Sequence, residues 1–126
     1  EIVFSDQLFG LAIDIYAPCA LGGTLSAEFV NQFTGDIVSG AANNQLVTPS
    51  IGDLMHEKGV LYAPDYVINA GGIINISFEP DYSPVAAKQR VAKIRTTLRD
   101  LFERSESENV PTYRVADEMA LENLKQ

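Results

Sequence analysis

The sequence predicts an α/β domain built as β-α-β-α-β on a parallel sheet and closed by two C-terminal helices. Three observations carry that expectation. Short apolar runs recur about two dozen residues apart, the length of a strand plus a crossover helix. The segments between them carry helix start and stop residues. The last third of the chain has the three-and-four spacing of long amphipathic helices.

The strands are read at Ile13–Ala17 ("IDIYA"), Asp36–Gly40 ("DIVSG") and Val60–Ala63 ("VLYA"). Each is β-branched or aromatic without clean alternation, the pattern of strands covered on both faces. In the first connection Ser26 is set to cap "AEFVNQF", with Gly35 as the stop. In the second, Thr48 offers a capping hydroxyl before Pro49 at the first helical position, and Gly59 closes the helix. Strands joined this way lie parallel, with right-handed crossovers. Beyond them, Ser83-Pro84 opens a long helix with Ala87, Val91, Ile94, Leu98, Leu101 and Phe102 on one face. "SESEN" reads as a polar break, after which Pro111 opens a helix carrying Ala116, Met119, Ala120 and Leu124.

Composition narrows the function. With 126 residues, 46% of them hydrophobic, the chain supports a single core. A net charge of −8 argues against a phosphate-backbone ligand, so no nucleic acid is expected. The one cysteine excludes an intrachain disulfide and points to a reducing, cytoplasmic setting. The apolar stretch from Val60 to Phe78 is broken by Pro64, Asp65 and a glycine pair, so it is not read as a membrane span. One histidine and one cysteine do not make a metal site. Charge is unevenly spread: Lys58 is the sole base before residue 78, while Lys88, Arg90, Lys93, Arg95, Arg99 and Arg104 crowd the long helix. That basic run reads either as a solvated face or as a surface docked on another domain or subunit.

Ligands of open parallel sheets bind beyond the carboxyl ends of the strands. Here those ends are followed by "APCALGG", "AANNQL" and "APDYVINAGG", loops rich in small residues and asparagine and poor in charge. They suit a carboxamide ligand, since small residues admit it to the backbone and asparagine both donates and accepts. They suit tight turns equally well. Cys19 has no histidine base in sight, and His56 sits in a turn-like "HEKG".

Three longer motifs, "DIYAPCALGG", "GAANNQL" and "MHEKGVLYAPDYVINAGG", resemble in content and order the nucleotide-binding domain of the leucine, phenylalanine, valine and glutamate dehydrogenases. The likeness runs over nearly the whole chain and is nearest to the leucine dehydrogenases. It implies the second half of a Rossmann-type sheet. Residues 1–80 would be the nicotinamide side of an NAD-binding domain. Residues 81–126 would be helices packing back towards an N-terminal substrate domain that the chain does not contain. It further implies oxidation of leucine, valine or isoleucine to the 2-oxo acid and ammonia, with the hydride passing to NAD, in a homo-oligomer.

By the same resemblance Pro18, Cys19 and Ala20 lie along the nicotinamide ribose. Asn43 and Asn44 lie near the nicotinamide and the substrate carboxylate, Asn69 meets the nicotinamide carboxamide, and Ile73 and Ile76 line the substrate pocket. Glutamate-specific relatives carry a hydroxyl residue at the second of these positions. Two isoleucines leave a distal carboxylate unpaired, which favours an aliphatic substrate. No G-x-G-x-x-G is present, and the family's catalytic lysines and aspartate belong to the other domain. The chain, which begins at Glu1, is therefore expected to be part of a longer enzyme, to hold no catalytic residue and to be inactive alone. The alternative is a stand-alone, non-catalytic interaction module derived from such an enzyme.

Overall fold

The computed structural model describes residues 2, 3 and 5–125. A short 3-10 turn, Ser5–Gly10, leads into strand β1 (Ile15–Tyr16). There follow α1 (Ala27–Gln32), β2 (Ile37–Val38), α2 (Ser50–Glu57) and β3 (Leu61–Tyr62). The three strands form one sheet in the order β1-β2-β3, both pairs parallel, with Ile15, Ile37 and Leu61 in register and Tyr16, Val38 and Tyr62 beside them. Backbone bonds extend the pairing at both ends, from Asp36 N–H to the Asp14 carbonyl and from Ala63 N–H to the Val38 carbonyl. The predicted strand positions and the parallel α/β architecture are thus observed, in shorter elements.

The core lies on one side of the sheet. Val38 and Tyr62 pack with Leu25, Phe29, Val30, Ile51, Met55 and Val60, and α1 packs on α2. Leu25, Val30, Val38 and Met55 are fully buried, and burial of a side chain of this size contributes about 1.5–3 kcal/mol. The other face departs from expectation. Its in-register row is open, with Leu61 36% and Ile15 58% exposed, so the strands are covered on one face and not on both. Near β3, Phe102 and Thr112 from later in the chain line a hollow together with Leu61. The strands read as doubly buried because their sequence lacks alternation; that sequence carries the apolar residues for a second cover which these residues do not supply.

Ser26 caps α1 as expected, its hydroxyl accepting from Phe29 N–H at 3.2 Å. Gly35 is not the stop. The helix ends at Phe33 in extended backbone, and Gly35 is small because Ile13 and Asp14 carbonyls crowd it. Thr48 does not cap α2 either. Pro49 occupies the cap position, and the Thr48 hydroxyl pairs instead with that of Ser50 at 2.7 Å. Gly59 does close α2, with φ +73°.

After β3 come two short helices, α3 (Asp65–Ile68) and α4 (Gly71–Ile76), then α5 (Pro84–Glu108) and α6 (Thr112–Leu124). Ser83 caps α5 through Ala86 N–H. With 25 residues this helix is roughly 37 Å long. "SESE" does not break it. Those residues complete its last turns, and the stop is Asn109, in the left-handed conformation at φ 52°. Leu101, Val115 and Ala116 form a second small core with Val67, Phe102, Val110 and Met119.

Arg104 is not part of a free basic run. It reaches Glu108 at 3.0 Å, Glu118 at 2.8 Å and Glu122 at 3.0 Å, clasping α5 to α6 and holding the guanidinium firmly charged. Lys88, Arg90, Lys93, Arg95 and Arg99 are exposed. His56 is half-buried in the last turn of α2, not in a surface turn, with Nε2 3.2 Å from Asn109 Oδ1.

Candidate functional site

The parallel sheet delivers the three predicted loops to one edge, and short contacts tie them together. The first and second loops cross at Gly40. A Cβ there would lie 2.6 Å from the Pro18 ring and closer still to Pro18 backbone, so only glycine fits. Ala42 N–H donates to the Pro18 carbonyl at 2.9 Å, and Ala41 N–H approaches Cys19 Sγ at 3.5 Å. Pro18 is buried, whereas Cys19 and Ala20 are exposed and share a concavity of about 410 Å³ with Tyr16, Leu21 and Thr24.

Asn43 and Asn69 come together. Asn69 Nδ2 donates to Asn43 Oδ1 at 2.6 Å and lies 3.4 Å from the Ala41 carbonyl. The third loop is thereby joined to the second across 26 residues of sequence. Asn44 takes a different part. It sits in the left-handed region at φ 53°, tolerated by asparagine better than by most residues, and its carbonyl accepts Gly23 N–H at 2.7 Å. Its side chain takes no part in the hydrogen bonds that join Asn69 to Asn43 and Ala41.

Ile73 and Ile76 lie one turn apart on α4, 73% and 68% exposed. Gly71 and Gly72 open that helix. A Cβ on Gly72 would meet nothing within 4 Å, and one on Gly71 only a Val91 methyl at 3.9 Å. The fold itself therefore does not demand glycine at either position. What it leaves is open space beside Gly72, in the helix turn that also bears Ile73.

Two residues beneath these loops escape sequence reasoning. Gln45 is fully buried, and its Nε2 donates to the carbonyls of Gly40 at 2.7 Å and Ala42 at 2.9 Å. Its own N–H donates to Asp65 Oδ2 at 3.0 Å, while Asp65 Oδ1 accepts Tyr66 N–H at 2.8 Å. Asp65 is 7% exposed. Burial, and then the Asp65 charge, push the Tyr62 hydroxyl far above the ordinary tyrosine range. Gln45 follows two asparagines in a polar stretch, so nothing local sets it apart or says which carbonyls it serves.

An open parallel sheet with amides converging beyond its carboxyl strand ends is the architecture in which α/β domains hold ligands. The chain belongs to the Glutamate/Leucine/Phenylalanine/Valine dehydrogenase family, whose model matches residues 1–124. It is 40% identical over 126 residues to the leucine dehydrogenase of Geobacillus stearothermophilus, covering 99% of this chain and 34% of that protein. To the valine dehydrogenase of Streptomyces albus it is 42% identical over 113 residues, covering 89% of this chain and 31% of the other. The crystal structure of L-tryptophan dehydrogenase from Nostoc punctiforme superposes with a TM-score of 0.90 at 39% identity, over 94% of this chain and 37% of that one. The chain thus spans about a third of the length of the curated relatives it matches. Among the described residues no helix is long and apolar enough to cross a membrane.

Proposed function

We propose that the chain is the nicotinamide-side part of an NAD-dependent dehydrogenase acting on L-amino acids with branched aliphatic side chains. The asparagine pair carries the reading. By donating Nδ2 to Asn43 Oδ1, Asn69 keeps its own Oδ1 unpaired, and Asn43 keeps its Nδ2 unpaired, among the described residues. One spare acceptor beside one spare donor complements a carboxamide, which presents an N–H and a C=O side by side. The clear space over Gly71 and Gly72 fits the same group.

In this reading Asn43 and Asn69 orient the carboxamide, and Pro18, Cys19 and Ala20 run along the adjoining ribose. Asn44 faces the substrate carboxylate, while Ile73 and Ile76 contact its side chain and exclude water from it. NAD, when bound, supplies the acceptor for the hydride leaving the substrate α-carbon. Proton transfer falls to residues of the preceding domain, so the 126 residues alone are inactive. Two exposed isoleucines beside the amides support an aliphatic substrate, because a carboxylate or ammonium set against them would lose its hydration without a partner.

The test is a steady-state survey of the full-length protein, following NADH formation with leucine, valine, isoleucine, phenylalanine, tryptophan and glutamate. The branched aliphatic substrates should give the highest kcat/KM. A higher value for glutamate or an aromatic amino acid refutes the specificity, and no NADH formation with any of them refutes the function.

A further inference from the structure

Resting on that functional reading, we propose that Gln45 and Asp65 are positioning residues, which hold Asn43 and Asn69 in the arrangement that reads the nicotinamide end of the cofactor. Neither belongs to the open surface: Gln45 is fully buried and Asp65 nearly so. Both act through backbone. Gln45 spends its two amide protons on the carbonyls of Gly40 and Ala42, drawing them inward. The carbonyl between them, on Ala41, is left for Asn69 Nδ2, beside Asn43 Oδ1.

Asp65 completes the link. One carboxylate oxygen takes Gln45 N–H and the other takes Tyr66 N–H, so a single buried anion joins the second loop to the first turn of α3. Asn43 lies two residues before Gln45, and Asn69 lies four residues after Asp65, at the end of α3. The two amides are therefore mounted on either side of one rigid tether.

The chemistry of Gln45 points the same way. Its Oε1 is buried and has no partner among the described residues. Turning the amide over would set that oxygen against the Gly40 and Ala42 carbonyls, so the observed orientation is fixed. A buried unmatched acceptor opposes stability, and such exceptions concentrate where geometry serves a site.

The experiment measures Kd for NADH and for ADP-ribose, which lacks the nicotinamide, on the full-length protein and its Gln45→Met variant. Loss of the pinning bonds should weaken NADH by about tenfold, the effect of one hydrogen-bonded contact, and leave ADP-ribose within about twofold. The kcat/KM for the amino acid should fall in step with NADH affinity. Asp65→Asn, which keeps the side chain's volume, provides a second variant if Gln45→Met does not fold, and should show the same divergence of the two ligands. Equal weakening of both ligands, or a lowered melting temperature with both affinities unchanged, overturns the proposal and leaves Gln45 a purely structural residue. A wild-type protein that binds NADH no better than ADP-ribose overturns the functional reading itself, and the positioning role falls with it.

Discussion

Tyr66 and Asp117 stand 51 residues apart in sequence, and the Tyr66 hydroxyl donates to the Asp117 carboxylate at 2.7 Å. The same hydroxyl lies 3.0 Å from the Tyr113 carbonyl. The bond fastens the segment that bears Asn69 to helix α6, so the C-terminal helices do more than cap the sheet.

Tyr66→Phe should lower unfolding stability by about 1 kcal/mol, the usual net value of such a bond, as read from urea midpoints at neutral pH. Partial burial first, and the Asp117 hydrogen bond second, push the Tyr66 pKa well above the ordinary value. The sign follows: a raised folded pKa stabilises the fold fully below the unfolded value, near about 10, and that contribution is lost as pH rises through the folded one. The gap between wild type and Tyr66→Phe should therefore be constant from pH 6 to about 9 and change only in strong alkali. A gap that changes between pH 6 and 8 would assign the effect to another group.

Arg104→Met should lower the melting temperature visibly, because three carboxylates on two helices lose their common partner. The deficit should shrink in 1 M salt, where about 3 Å of screening length remains. Arg95→Ala and Arg99→Ala, on the exposed part of α5, should each stay within about 0.5 kcal/mol of wild type in the isolated domain. A larger loss confined to the full-length protein would identify that face as a docked surface.

Two glycine substitutions should separate folding from binding. Gly40→Ala drives a methyl into the Pro18 backbone and should cost about 3 kcal/mol or prevent folding. Gly72→Ala meets nothing in the chain and replaces glycine in a helix, so stability should rise by up to about 1 kcal/mol. NADH affinity should nonetheless fall in the full-length Gly72→Ala protein. Unchanged affinity, measured by fluorescence titration, would mean that no ligand approaches that backbone.

Ile76→Ala should enlarge the space beside α4 and shift preference towards bulkier side chains. The ratio of kcat/KM for phenylalanine to that for valine should increase by about tenfold, as expected from altering a few methylenes in an apolar pocket. A ratio that stays put would remove Ile76 from the substrate pocket.

Much of this fold is legible locally. Ser26 and Ser83 announce helix starts because a cap is a contact three residues long, within reach of a sequence pattern. The strands declare themselves through β-branched runs, and the loops at their ends follow from parallel topology alone. Thr48 and "SESE" misled because competing local chemistries exist: the Thr48 hydroxyl found Ser50, and serine–glutamate turns sustain a helix until Asn109 ends it. Gln45, Asp65 and the Tyr66–Asp117 bond were invisible for a different reason. Their partners lie 20 to 51 residues away for the longer bonds, and no periodicity encodes a pairing that only the folded chain creates. Asn43 and Asn69 could be nominated separately, but their mutual hydrogen bond could not.

That mutual bond has an entropic consequence. Asparagine side chains on exposed loops ordinarily sample several rotamers, and a ligand that recruits them must freeze that motion. Here each amide immobilises the other before any ligand arrives, so the loss of freedom is already borne by folding. In the proposed function, the pair would act as a small template set before the ligand arrives.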